Sequence, residues 1–168
     1  METKPKIAIS SCLVGHEVRF DGGHKQFRYA TESLATYFDF IPLCPEVAIG
    51  LGIPRPTIRL MKRENDITEA VSNADRSLRY TEALSAYGRK TAPSLHGVSG
   101  YILKKDSPSC GMARVKVYQD NDGPPDRTGV GIYAKEIIEA HPNLPIEEEG
   151  RLNDTRLREN FLERVFLY

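Results

Sequence analysis

Cys12, Cys44 and Cys110 are the only cysteines of the chain, and each stands where a strand would give way to a loop. Cys12 ends Ile-Ala-Ile-Ser-Ser-Cys, Cys44 opens Cys-Pro-Glu, and Cys110 lies in Ser-Pro-Ser-Cys-Gly. The short apolar runs ahead of them, Lys6 to Ser10, Phe38 to Leu43 and Tyr101 to Leu103, read as strands. Ligands of open parallel sheets bind outside the carboxyl ends of the strands. Thiols far apart in sequence can therefore meet at one rim and hold a metal or cluster with one position left open.

Three alternatives follow for these thiols. A free cysteine is commonly a small buried hydrophobe. His16 or His24 could complete a Cys3His zinc site, although no Cys-x-x-Cys spacing is present. Iron–sulfur clusters suit thiolates and normally take four cysteines. Three cysteines would leave one iron of a 4Fe-4S cluster without a protein ligand, an open Lewis acid for which sulfur is the preferred guest. The neighbouring Ser10, Ser11, Pro45, Glu46, Ser107, Ser109 and Gly111 are loop residues, and binding residues concentrate on loops.

Glu46 follows Cys44 by two residues and is placed for general acid–base work beside whatever Cys44 holds. The competing reading is an ion pair with Arg55 or Arg59. Ser107 and Ser109 flank Pro108 and could relay protons, or serve only the turn that Ser-Pro favours. Arg19, Lys25, Arg55, Arg59, Lys104 and Lys105 all fall on loops near the same rim, where together they could receive phosphates. No Gly-x-Gly-x-x-Gly or Walker sequence is present, so nucleotide-cofactor chemistry has no support.

The elements that must position these residues follow from pattern. A polar, Gly-rich loop runs from Gly15 to Arg28, a helix covers Thr31 to Tyr37, and Pro54 and Pro56 make Pro45 to Arg59 a stiff, non-helical loop. A long helix capped by Asp75 runs to about Lys90, Arg114 to Tyr118 alternates like a strand, and Asp120 to Gly129 is a turn-rich loop. Gly131 to Ala140 and Asn153 to Tyr168 are helices, the latter with a stripe of Leu157, Phe161, Val165 and Tyr168. The alternation predicts an α/β fold: an open, mostly parallel, Rossmann-like sheet with helices on both faces and the cluster site at the strand carboxyl ends.

At 168 residues the chain has the length of one domain with its own core. Lys plus Arg equals Asp plus Glu at 23 each, which argues against coating nucleic acid by bulk charge but leaves room for a local basic patch. The polar start, the lack of a membrane-length apolar run and the odd number of cysteines point to a cytoplasmic chain with reduced thiols and no membrane partner.

Taken together, Ser-Cys-Leu-Val-Gly (11–15), Val-Arg-Phe-Asp-Gly (18–22), Cys44-Pro45-Glu46, Pro54-Arg55-Pro56, Ser107-Pro-Ser-Cys-Gly111 and Gly129-Val-Gly-Ile-Tyr-Ala resemble the TudS-like thiouracil desulfurases over about residues 6–145. The resemblance implies a 4Fe-4S cluster on Cys12, Cys44 and Cys110, with the open iron taking the sulfur of a thiolated uracil. It implies Glu46 and Ser107 as catalytic residues, with Ser109 second to Ser107, while Ser109, Arg19, Lys25 and Arg55 remain candidates for contact with substrate. The products would be uracil or uridine and hydrosulfide, without net redox change. Residues 147–166 further resemble the joint to a second, helical domain in longer members acting on 4-thiouridine in tRNA. That divides the chain into a desulfidase domain (1–150) and a C-terminal helix (151–168), with such a domain expected after residue 168, which would also account for apolar Phe161 and Phe166. Two rival readings are a zinc-binding domain and an RNA-binding domain, each without catalysis.

Overall fold

The computed structural model describes residues 3–168. Its central layer is a parallel four-stranded sheet built from β1 (Lys6–Ser10), β2 (Asp39–Leu43), β5 (Gly100–Leu103) and β8 (Ile146–Glu148) in the order β2-β1-β5-β8. The two middle strands are apolar at Ile7–Ile9 and Tyr101–Leu103 because both their faces are covered there. Ile7, Ile9 and Ile102 point to a core completed by Leu13, Leu34, Phe38 and the Phe161 and Val165 side chains of α4 (Thr155–Leu167). Ala8, Tyr101 and Leu103 point the other way, to Tyr133, Ala134 and Ile137 of α3 (Ile132–Ala140). Helices therefore cover both faces, as the sequence predicts. Gly100 makes room for α4: a Cβ there would stand 2.8 Å from Val165 and 3.3 Å from Phe161.

A second, mixed sheet lies beside the first, in the order β4-β3-β6-β7. It comprises β3 (Ile58–Lys62), β4 (Thr68–Ser72), β6 (Val115–Tyr118) and β7 (Asp126–Gly129). β3 runs parallel to β6, whereas the β3–β4 and β6–β7 pairs are antiparallel. Ile58, Leu60, Ala70, Val115 and Val117 form its core with Leu84 of α2 (Thr81–Thr91). Gly88 lets α2 press on α3, since a Cβ there would meet the Glu136 Cβ at 2.7 Å.

Several elements differ from the sequence reading. Pro45–Ala48 is a short helix, α1, although Pro45 discourages helix elsewhere; at the first helical position its missing N–H has no intrahelical partner to lose. Strands β3 and β4 replace the expected end of a stiff loop and the unassigned stretch after it. Leu60 and Met61 are both buried, so no clean alternation marked β3. The helix expected from Asp75 begins at Thr81, because Arg79 bridges to Val71 and the Tyr80 N–H donates to the Ala70 carbonyl. Asp75 caps a turn instead, accepting from the Ser77 N–H at 2.9 Å. Residues 29–36 form a π-helical turn and a 3-10 turn in place of a regular helix. Strands β7 and β8 take up segments read as loop and tail.

Phe161, which the sequence reading left to be covered by a further domain, is fully buried on the sheet, whereas Phe166, Leu167 and Tyr168 at the end of α4 are exposed. Asp154 caps this helix by accepting from the Arg156 and Leu157 N–H groups. Among the described residues no helix is long and apolar enough to cross a membrane.

Candidate metal centre and active site

The order β2-β1-β5 puts the topological switch of the parallel sheet beside β1, and the chain leaves each of these strands at the same rim. After β1 the backbone tightens into a 3-10 turn, Ser11–Val14, which carries Cys12 and is closed by Gly15 in the left-handed conformation at φ 91°. The Gly15–Arg28 loop then folds back, the Lys25 N–H donating to the Cys12 carbonyl and the Phe27 N–H to that of Leu13. After β2, Cys44 is the N-cap of α1, so Glu46 stands in its first turn. After β5 the chain passes through Lys104–Asp106 to the loop that carries Cys110.

That last loop is tightly determined. Ser107 Oγ accepts from the Cys110 N–H at 3.0 Å and from the Ser109 N–H at 3.3 Å. The Gly111 N–H returns to the Ser107 carbonyl, and the start of α3 donates from Ile132 to the Pro108 carbonyl and from Ala134 to that of Ser109. Gly131 permits this approach, since a Cβ there would lie 2.5 Å from the Ser109 carbonyl. On the far side, Glu148 accepts from the Met112 N–H, and Glu149 accepts from the Lys105 N–H and pairs with Lys104.

Cys12, Cys44, Cys110, Glu46, Ser107, Ser109, Arg19, Lys25 and Arg55 all line a single pocket of about 320 Å³, within the range of small-ligand sites. The three thiols are free. Burial pushes Cys110 up to about 12 and Cys12 up to about 11, and raises Cys44 as well. Such thiols stay protonated unless a cation compensates the lost hydration, which is what a bound metal does.

The donor set fits a cluster better than a single ion. Among the described residues no three His, Cys, Asp or Glu side chains converge closely enough to share one metal ion. His16 and His24 do not line the pocket, so the Cys3His zinc reading lacks its fourth ligand. A cluster is wider than one ion and takes thiolates from further apart; an all-cysteine donor set is also its usual one.

Beside the thiols, hydrogen bonds run in one line. Arg55 Nε donates to Glu46 Oε2 at 3.0 Å, and Ser109 Oγ donates to Glu46 Oε1 at 2.8 Å. Ser107 and Ser109 hydroxyls are 3.0 Å apart. A hydroxyl has one proton. Because Ser109 commits its own to Glu46, the proton between the two serines comes from Ser107, and the relay points from Ser107 through Ser109 to the carboxylate. Ser107 is half-buried and Ser109 fully buried, so Ser107 is the more accessible end.

The structure separates the basic residues that the sequence grouped. Arg55 is buried and directed inward, so it pairs with Glu46 and is not a free cation. Arg59 does not line the pocket; its guanidinium lies 4.7 Å over the Tyr118 ring. Lys104 is held by Glu149 at 2.7 Å. Arg19 and Lys25 line the pocket with no ion pair among the described residues. Sequence reading missed Phe20, which lines the pocket under the Arg19 guanidinium; its place next to Arg19 in Val-Arg-Phe-Asp-Gly was the available signal.

The chain resembles the uncharacterized protein YbbK of Bacillus subtilis (strain 168), at 27% identity over 88% of this chain and 98% of that one. Its fold matches that of a solved 4Fe-4S-dependent thiouracil desulfidase, TudS, with a TM-score of 0.66 and 26% identity, covering 94% of this chain and 99% of the other. The family model for 2-thiouracil desulfurase matches residues 7–149, and the chain belongs to that family.

Proposed function

We propose that this protein is a 4Fe-4S-dependent hydrolase that replaces the sulfur of a thiolated uracil with oxygen, releasing hydrosulfide. The observation that carries the reading is the meeting of Cys12, Cys44 and Cys110, from three separate loops, in one pocket with the Glu46–Ser109–Ser107 line. The cysteine thiolates would hold the cluster, which when bound supplies an iron free of protein ligands to take the thiocarbonyl sulfur and polarise its bond to carbon. Glu46 accepts a proton from the attacking water as the new carbon–oxygen bond forms. The proton returns through Ser109 and Ser107, whose hydroxyls turn to donate away from Glu46, as the carbon–sulfur bond breaks. The sum is thiouracil plus water giving uracil plus hydrogen sulfide, with no electron transferred and no nicotinamide or flavin required. A reducing, cytoplasmic setting suits the three free thiols.

The substrate we favour is a thiolated uridine bearing phosphate, 4-thiouridine in tRNA being the fullest case, presented out of its stack. Arg19 and Lys25 support this as cations at the pocket with no ion pair among the described residues, placed to meet phosphate while the base enters.

The test is anaerobic reconstitution with iron and sulfide, followed by turnover of 2-thiouracil, 4-thiouracil and 4-thiouridine-containing tRNA. Brown protein that releases sulfide from at least one of them is expected. Colourless protein with stoichiometric zinc and no sulfide release would establish the zinc reading instead. Lys25→Ala should lower tRNA turnover and reduce its salt slope by about 1 while leaving free-base turnover within about twofold. Equal losses on tRNA and free base would remove the phosphate contact.

A further inference from the structure

We infer that Arg55 is the positioning residue of this site: it fixes Glu46 in its working orientation and ties that carboxylate to the loop carrying Arg19 and Phe20. The inference rests on the desulfuration reading above. Arg55 bonds to three segments at once. Its Nε and Nη2 both reach Glu46 Oε2, at 3.0 and 2.9 Å. Its Nη2 also donates to the Val18 carbonyl and its Nη1 to the Gly52 carbonyl, both at 2.9 Å. Its backbone N–H donates to the Phe20 carbonyl at 2.9 Å.

These contacts have a consequence for Glu46. Oε2 is held by Arg55, and Oε1 is held by Ser109 at 2.8 Å. Rotation about the last side-chain bond would break both, so the carboxylate plane is fixed with Oε1 toward the serine relay. Glu46 sits in the first turn of the short helix α1, which alone gives its long side chain several rotamers. Arg55 removes that freedom. It does so through the carboxylate oxygen that the serines leave free, and no carboxylate but Glu46 pairs with it among the described residues.

The same guanidinium holds Val18, and the adjacent amide holds Phe20, on either side of Arg19. The loop over the pocket is therefore anchored to the acid–base residue through one side chain. Lysine cannot reproduce this, since a single ammonium lacks the planar fork that spans Glu46, Gly52 and Val18 together.

The experiment is a double-mutant cycle on the reconstituted full chain: wild type, R55Q, E46Q and R55Q/E46Q, each measured for bound iron, thermal midpoint, kcat and KM with 4-thiouracil. If Arg55 acts through Glu46, R55Q lowers kcat by about 10²-fold with bound iron at the wild-type level, the size of loss that misplacing a catalytic group produces. KM then moves less than about threefold, and R55Q added to E46Q costs less than about twofold more. R55K carries the same comparison where R55Q does not accumulate as folded protein.

Equal losses in the two backgrounds would overturn the inference, because Arg55 would then act independently of Glu46. A raised KM with unchanged kcat would do so too, by making Arg55 a substrate contact. Loss of iron and of thermal stability with kcat per bound cluster unchanged would reduce it to a structural clamp. Wild-type protein that turns over no thiolated uracil would instead reject the desulfuration reading, and this inference with it.

Discussion

Cys110→Ala protein is expected to purify colourless from anaerobic reconstitution and to turn over thiolated uracil at least about 10³-fold more slowly than wild type, the order lost when a principal electrostatic group leaves an active site. The reason lies in where the thiol sits. Cys110 is buried at the end of a loop whose conformation is set by Ser107, by Gly111 and by the first turn of α3. Cys12 and Cys44 have their own places in the pocket, the chain has no fourth cysteine to replace Cys110, and neither His16 nor His24 lines the pocket. Alanine keeps the small apolar volume, so the loop and the core formed by Ala8, Tyr101 and Leu103 should persist. Thermal unfolding of apo wild type and apo variant should therefore nearly coincide, while bound iron and turnover are lost. Retention of both by the variant would mean that Cys110 is only a buried hydrophobe. Cys12→Ala and Cys44→Ala should behave alike, since two cysteines cannot hold the cluster that three were placed to hold.

The strands ahead of Cys12 and Cys110 were legible because a strand covered on both faces is apolar along its length, as at Ile7–Ile9 and Tyr101–Leu103. Once those strands are parallel, the meeting of their carboxyl ends is a property of the architecture and needs no knowledge of side-chain contacts. Of the second sheet only β6 was legible, from the alternation of Val115 and Val117. The buried positions of β3 and β4 do not alternate cleanly, and β3 pairs with β6 more than fifty residues later, beyond the reach of any local pattern.

The basic residues were ambiguous for a related reason. Arg55 and Arg59 are four apart, equally charged, and both follow Glu46 on the same stretch of chain. Only the tertiary structure buries one against the carboxylate and sends the other across the sheet to Tyr118. In the same way, Ser107 and Ser109 are interchangeable in sequence. Their roles separate only when Ser109 is seen to contact Glu46 and Ser107 to cap the loop while facing the pocket.

That separation sets the second large effect. Glu46→Gln should retain the cluster and lose about 10²- to 10⁴-fold in kcat, the span of general acid–base catalysis. Glutamine preserves the size of the side chain, and its carbonyl oxygen can still accept from Arg55, so the pocket should stay formed. What it loses is the capacity to take a proton from water. The serines should then fall in a definite order. Ser109→Ala removes the hydrogen bond to Glu46 Oε1 and cuts the relay between Ser107 and the carboxylate, so its kcat should approach that of Glu46→Gln. Combined with Glu46→Gln it should add little, because the relay has no base left to serve. Ser107→Ala leaves the Ser109–Glu46 bond in place but strips the Cys110 and Ser109 N–H groups of their acceptor, so it should lower bound iron as well as kcat. Iron content measured beside kcat distinguishes the two serines. Full turnover by iron-loaded Ser109→Ala would break the proposed line and leave Glu46 to act without it.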